Sequence, residues 1–117
     1  LQAAIAAGHA EGSSWEAIAQ AYAVLEDLEP TPVVRLNRAA AIALAGRPAE
    51  ALDLVEGLGG LDHYRHFHAA RGDLLRRLGR GDEAAAAYRR ALSLTDTPAE
   101  RSFLERRLRE TAAEARE

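Results

Sequence analysis

"GRPAEALDLVEGL" (46–58) and "GRGDEAAAAYRRAL" (79–92) share Gly-Arg-x-x-Glu-Ala at a spacing of 33 residues. Shifting the whole chain by 33 extends the match well past that hexad. Gly46 falls on Gly79, Glu50 on Glu83, and Ala51 on Ala84. Ile18, Ala51 and Ala84 form one column, Tyr22, Val55 and Tyr88 a second, and Leu28, Leu61 and Leu94 a third. Thr31-Pro32 returns two periods later as Thr97-Pro98. Agreement of several independent columns at one offset marks an internal repeat.

Within each copy the apolar residues recur at spacings of three and four, the period of an amphipathic helix, and strand-like alternation is lacking. The glycines at 46 and 79 read as helix stops, because glycine takes the left-handed conformation freely. Ser13-x-x-Glu16 and Thr97-x-x-Glu100 read as capping boxes, and Pro32, Pro48 and Pro98 suit first-turn positions. These signals predict an all-α chain with seven helices, over 2–10, 14–28, 32–45, 48–57, 63–78, 82–94 and 98–114.

Composition agrees with a helical core. The 117 residues are one domain's worth of chain, 48% hydrophobic and 28% charged, with aromatics at only 5%. So much alanine buries area only where helices approach closely. Cysteine is absent, which excludes disulfides and thiolate metal sites. No run nears the ~18 apolar residues of a membrane span, and no signal sequence opens the chain, so a cytoplasmic location is expected. All fifteen basic residues are arginine, which with the alanine load suggests a GC-rich bacterial genome. The chain starts at Leu1 and has no Met, the expectation being a piece of a longer polypeptide. Residues 1–61 hold three arginines against eight acids, and residues 62–117 twelve against ten. Neither half has the basic excess of a surface that grips nucleic-acid phosphates.

A helix pair recurring every 33 to 34 residues resembles the tetratricopeptide repeat. That family's motif wants small, apolar, Gly, Ala, aromatic and Ala residues at successive fixed positions. Residues 65–96 supply Gly72, Leu75, Gly79, Ala84, Tyr88 and Ala91, and residues 32–64 supply Ala39, Ile42, Gly46, Ala51, Val55 and Leu58. Arg35 and His68 stand where the motif usually has Trp, and Arg38 and Arg71 where it is usually apolar. The resemblance implies a tetratricopeptide-like α-α superhelix, one domain over 1–117: an N-terminal helix and half-repeat (1–30), repeats at 31–63 and 64–96, and a capping helix at 97–117. Ala51 and Ala84 would sit at helix crossings, and Tyr22, Val55 and Tyr88 would fill the gap to the next unit. Phe103, Leu104 and Leu108 would form the buried stripe of the cap.

Longer strings carry a second resemblance. "LQAAIAAGHAE" (1–11), "PVVRLNRAAAIAL" (32–44), "HAARGDLLRRLGRGDEAAAAYRRAL" (68–92) and "ERSFLERRL" (100–108) are similar to the C-terminal extension of some bacterial extracytoplasmic-function RNA polymerase sigma factors. There a pair of promoter-recognising domains precedes a tetratricopeptide-like domain. Ser13-Ser14-Trp15 stands where that family commonly has Thr-Asp-Trp. The resemblance implies an accessory, protein-contacting domain of a transcription-initiation factor. Its partners would be RNA polymerase core, the factor's own sigma domains or a regulatory protein. Promoter DNA would be reached only through N-terminal domains that these residues lack. The alternative is a general adaptor for a peptide or protein, unrelated to transcription.

On the family's hollow face, the carried-over positions are Val33, Asn37, Ala40, Ala43 and Leu44, then His66, Ala70, Asp73, Arg76 and Arg77, then Ala99, Leu104, Arg106, Arg109 and Glu110. From these, Asn37, His66, Asp73, Arg76, Arg77, Arg106 and Arg109 make up the expected partner-binding face, the arginines as an acid-attracting wall. The bland reading is a solvated face with Asp73–Arg77 and Arg106–Glu110 pairs.

Catalytic chemistry finds little support. His63, His66 and His68 invite a metal reading, yet no carboxylate completes a ligand spacing, and a polar helix start behind Asp62 accounts for them. His9-x-Glu11 lacks the cysteines a zinc deaminase needs, and "EGLGG" (56–60) lacks the Lys-Ser/Thr of a phosphate loop. No catalytic residue, metal or cofactor is expected, and an enzyme is the least favoured reading.

Overall fold

The two copies of Gly-Arg-x-x-Glu-Ala build the same backbone turn. Gly46 has φ 98° and Gly79 φ 75°, both in the left-handed region. The N–H of Gly46 donates to the Ala43 carbonyl (3.0 Å) and that of Arg47 to Ile42 (3.2 Å). Gly79 likewise donates to Arg76 (3.0 Å) and Arg80 to Leu75 (2.9 Å). This crossed pair of bonds satisfies carbonyls that a helix end leaves open. The arginine then starts the next helix: the Arg47 carbonyl accepts from Ala51 (3.1 Å) and that of Arg80 from Ala84 (2.9 Å). Its guanidinium reaches the glutamate three residues on, Arg47 Nη1 to Glu50 at 2.7 Å, and Arg80 to both oxygens of Glu83 at 2.7 and 3.0 Å. The Arg80 bonds hold the Glu83 carboxyl below its ordinary range. Each residue of the repeated hexad other than the two variable ones thus has a structural task.

This computed structural model describes residues 14–115. They form six helices and no strand: α1 (Trp15–Leu28), α2 (Pro32–Leu44), α3 (Pro48–Glu56), α4 (Arg65–Arg77), α5 (Gly81–Ser93) and α6 (Pro98–Ala115). The all-α expectation holds, and each of the six predicted helices from 14 onward matches to within two residues at either end. The helix expected over 2–10 lies outside the described residues. One cap differs. Ser14 is the N-cap of α1, its Oγ accepting from the Ala17 N–H at 3.1 Å, one residue after the expected Ser13. Glu16 is then not a capping partner and pairs instead with Arg47 at 2.5 Å.

The chain divides into two compact units, Leu1–Leu58 and Gly59–Glu117. In the first, α2 packs against both α1 and α3. Its core is Ile18, Leu36, Ala39, Ile42, Ala51 and Val55, with Ala39, Ala51 and Val55 at 0% exposure. Glu26 on α1 meets Arg38 (3.4 Å) and Arg35 (3.7 Å) on α2, so arginines at positions the repeat usually leaves apolar or aromatic find a carboxylate.

In the second unit α5 packs against both α4 and α6. Phe67, Leu75, Ala84, Ala87, Tyr88, Ala91 and Leu104 make its core. Ion contacts join α4 to α6 at Arg65–Glu100 (2.8 Å), Asp73–Arg107 (3.8 Å) and Arg76–Glu114 (3.5 Å). The partners advance together along both helices, so α4 and α6 run parallel, about one repeat period apart. Thus α6 occupies the place of the next repeat's first helix. Glu100 spends its carboxylate on Arg65, with the aligned bond running from Arg65 Nη2 to Oε1 at 3.3 Å. No glycine closes α5; Arg101 Nη1 donates to the carbonyls of Leu92 (2.9 Å) and Thr95 (3.0 Å) instead.

The buried stripe of α6 runs through Leu104 and Thr111, at 4% and 2% exposure. Phe103, expected in that stripe, is 42% exposed, with the Arg107 guanidinium 5.0 Å above its ring. Of the Leu28, Leu61 and Leu94 column, Leu61 is buried and Leu28 exposed.

Candidate protein-interaction face

Tyr88 organises the polar residues of the second unit. Its ring lies against the α4 backbone at Gly72, where a Cβ would meet Cε1 at 2.8 Å and Cδ1 at 2.9 Å. The first unit has Ala39 and Val55 at the equivalent positions, both fully buried. The two units thus put a small residue with a large one, or two of middling size, at the same pair of positions.

The Tyr88 hydroxyl donates a short hydrogen bond to Asp73 and accepts from Arg76 Nε at 3.4 Å. Burial foremost, and then the bond to Asp73, push its pKa up to about 12. The Arg76 guanidinium is raised in turn, chiefly by its bond to Tyr88. Arg107 approaches Asp73 from α6 and also bonds Glu110 at 3.1 Å.

Several residues of the expected partner face take part in this network or lie beside it. Asp73 and Arg76 are half-buried, and both bond the Tyr88 hydroxyl and meet charged side chains of α6. Asp73 meets Arg107 rather than Arg77, and Glu110 meets Arg107 rather than Arg106. Asn37, His66, Arg77, Arg106 and Arg109 are exposed. Ala43 and Leu104, also carried over to the hollow face, are buried core. Sequence spacing missed Arg107 because its role depends on which side chain of α4 lies opposite.

Between α4 and α6 the second unit carries a cleft of about 160 Å³. Ala69 and Leu104 line its apolar part, with His66, Phe103, Thr95 and the Arg65–Glu100 pair around them. His66 packs edge-on against Tyr64 at 5.2 Å. His68 turns away from it, Nε2 bonding the Asp62 carbonyl at 2.8 Å. Among the described residues no group of three or more His, Cys, Asp or Glu side chains is placed to hold a metal ion.

A family model described as a tetratricopeptide repeat-like domain matches residues 2–113. The chain belongs to that family. The assignment gives the Gly-Arg turns, the Gly72–Tyr88 contact and the parallel α4 and α6 a common origin in stacked helix pairs. An uncharacterized protein of Rhizobium meliloti (strain 1021) is 44% identical over 120 residues, covering 97% of this chain. The tetratricopeptide-like chain spans only 28% of that relative's length. No solved structure matches it significantly. Among the described residues no helix is long and apolar enough to cross a membrane.

Proposed function

We infer that this tetratricopeptide-like domain is a protein-interaction module. It works as the accessory C-terminal domain of an extracytoplasmic-function sigma factor. The α4–α6 cleft carries the interaction part of the reading. It is apolar inside and ringed by polar groups, and it lies between successive first helices, where stacked helix pairs present their concave surface. His66 and Phe103 would frame an apolar anchor of the partner. Arg77 and Arg106, exposed and without a partner among the described residues, would draw its acidic groups.

The sigma-factor part rests on the strings at 1–11, 32–44, 68–92 and 100–108. It is compatible with a relative more than three times as long, which leaves room for promoter-binding domains. In this role the domain touches RNA polymerase core, the sigma domains or a regulator, and promoter DNA is read elsewhere in the polypeptide. The location is cytoplasmic, and the chain carries no catalytic step.

Promoter-dependent transcription by the full-length protein, with and without residues 1–117, tests the reading. Altered initiation at a cognate promoter on removing the segment supports it. If the full-length protein lacks sigma activity altogether, the transcription role is refuted and the adaptor reading remains.

A further inference from the structure

Among the described residues nothing covers one face of α1. Ala17, Gln20, Val24, Asp27 and Leu28 lie on one side of the helix by their spacing, and all are exposed. Val24 and Leu28 are 58% and 74% exposed. The repeat itself marks this as unusual, since Leu61, one period after Leu28, is only 7% exposed. Asp27 is exposed and makes no hydrogen bond or ion pair with a described residue, whereas its neighbour Glu26 is held by Arg35 and Arg38.

A matching groove lies between α5 and α6, on a different set of residues from the α4–α6 cleft. It measures about 440 Å³; Ala85, Leu108 and Ala112 supply apolar surface, and two arginines, Arg89 and Arg109, stand on it against one acid, Asp82. Both arginines are exposed and have no carboxylate partner among the described residues, in a unit where Arg65, Arg76, Arg80 and Arg107 all have one. The charge of the two halves follows the same division, −5 for residues 1–58 and +2 for 59–117.

We propose that the α1 face of one copy of this chain docks into the α5–α6 groove of a second copy. Val24 and Leu28 would cover Leu108 and Ala112, and Asp27 would lie between Arg89 and Arg109. A carboxylate between two guanidiniums accepts charge-assisted bonds and fixes the register of the docked helix. The two surfaces differ, so the contact is heterologous, and it builds rings or open chains of copies.

Sedimentation of the whole chain over a range of concentrations is the test, with circular dichroism to verify that each variant folds. The wild type is expected to associate beyond a dimer as concentration rises, and less so in high salt. Asp27→Arg alone, or Arg89→Glu with Arg109→Glu, should each weaken association by at least about tenfold. Mixing the two variants should restore it, because every face then meets a groove of opposite charge. Leu28→Gln should weaken it without altering charge. A wild type that stays monomeric overturns the proposal. Variants that associate as the wild type does, or a mixture that fails to recover, overturn it equally. Association only with an added acidic peptide would mean that the groove serves another partner, which also refutes it.

Discussion

The ring of Tyr88 rests directly on the backbone of Gly72, with no room for a Cβ between them. The ring is anchored at its far end, since the hydroxyl is bonded to Asp73 and Arg76. Gly72→Ala therefore cannot be absorbed by a small swing of the tyrosine. A loss of about 1–3 kcal/mol is expected from overpacking, read as a lower urea midpoint. Adding Tyr88→Val rebuilds the Ala39 and Val55 combination of the first unit. The double variant should be less destabilised than the sum of its singles, and strict additivity would speak against the contact.

Gly79 makes the opposite demand. Its φ is 75°, yet a Cβ there would meet nothing within 4 Å. Gly79→Ala should cost about 1–2 kcal/mol through backbone conformation alone. Gly79→Asn should cost less, because asparagine tolerates the left-handed region better. Equal melting temperatures for wild type and Gly79→Ala would contradict the turn.

The alanine of the repeated hexad is fully buried in both copies, at 51 and 84, as a helix crossing would require. Ala84 has no exposed surface, and Ala84→Leu should push α4 and α5 apart at about 1–3 kcal/mol. An unchanged melting temperature would remove it from the crossing.

High pH should weaken the second unit. Tyr88 titrates near 10 when unfolded and about 12 when folded, so its proton is held more tightly by the folded state. Its contribution is complete below pH 10 and is lost as pH rises through 12. The loss is about 1–2 kcal/mol, since Asp73 and Arg76 remain partly in water. Tyr88→Phe should abolish this part of the pH dependence, measured as the difference between the two proteins' alkaline unfolding curves.

Adjacent arginines should behave differently. Arg77→Glu leaves stability within about 0.5 kcal/mol, as for an ordinary surface site. Arg76→Glu places a second carboxylate beside the Tyr88–Asp73 pair and should cost about 1–3 kcal/mol. Thermal melts of the two single variants, compared side by side, decide this.

Local signals made the helices legible: glycine stops, proline starts and a period-3.6 apolar pattern placed α1 to α6 closely. Columns of the repeat likewise found Ala51, Val55, Ala84 and Tyr88 as core. The side-chain partners of the expected face were not legible. Spacing assigns a residue to a side of its own helix but does not identify what faces it from the next. So Asp73 and Arg76 looked solvent-facing until Tyr88 and Arg107 were seen opposite them. Phe103 looked buried by its apolar character, yet α6 turns Leu104 and Thr111 inward.

Proton NMR of the Gly72 methylene tests the stacked-pair packing most directly. The account predicts nuclear Overhauser contacts from a Gly72 Hα to the Tyr88 ring protons and a ring-current shift of that Hα. A Gly72 resonance at its random-coil position, with no contact to Tyr88, would contradict it.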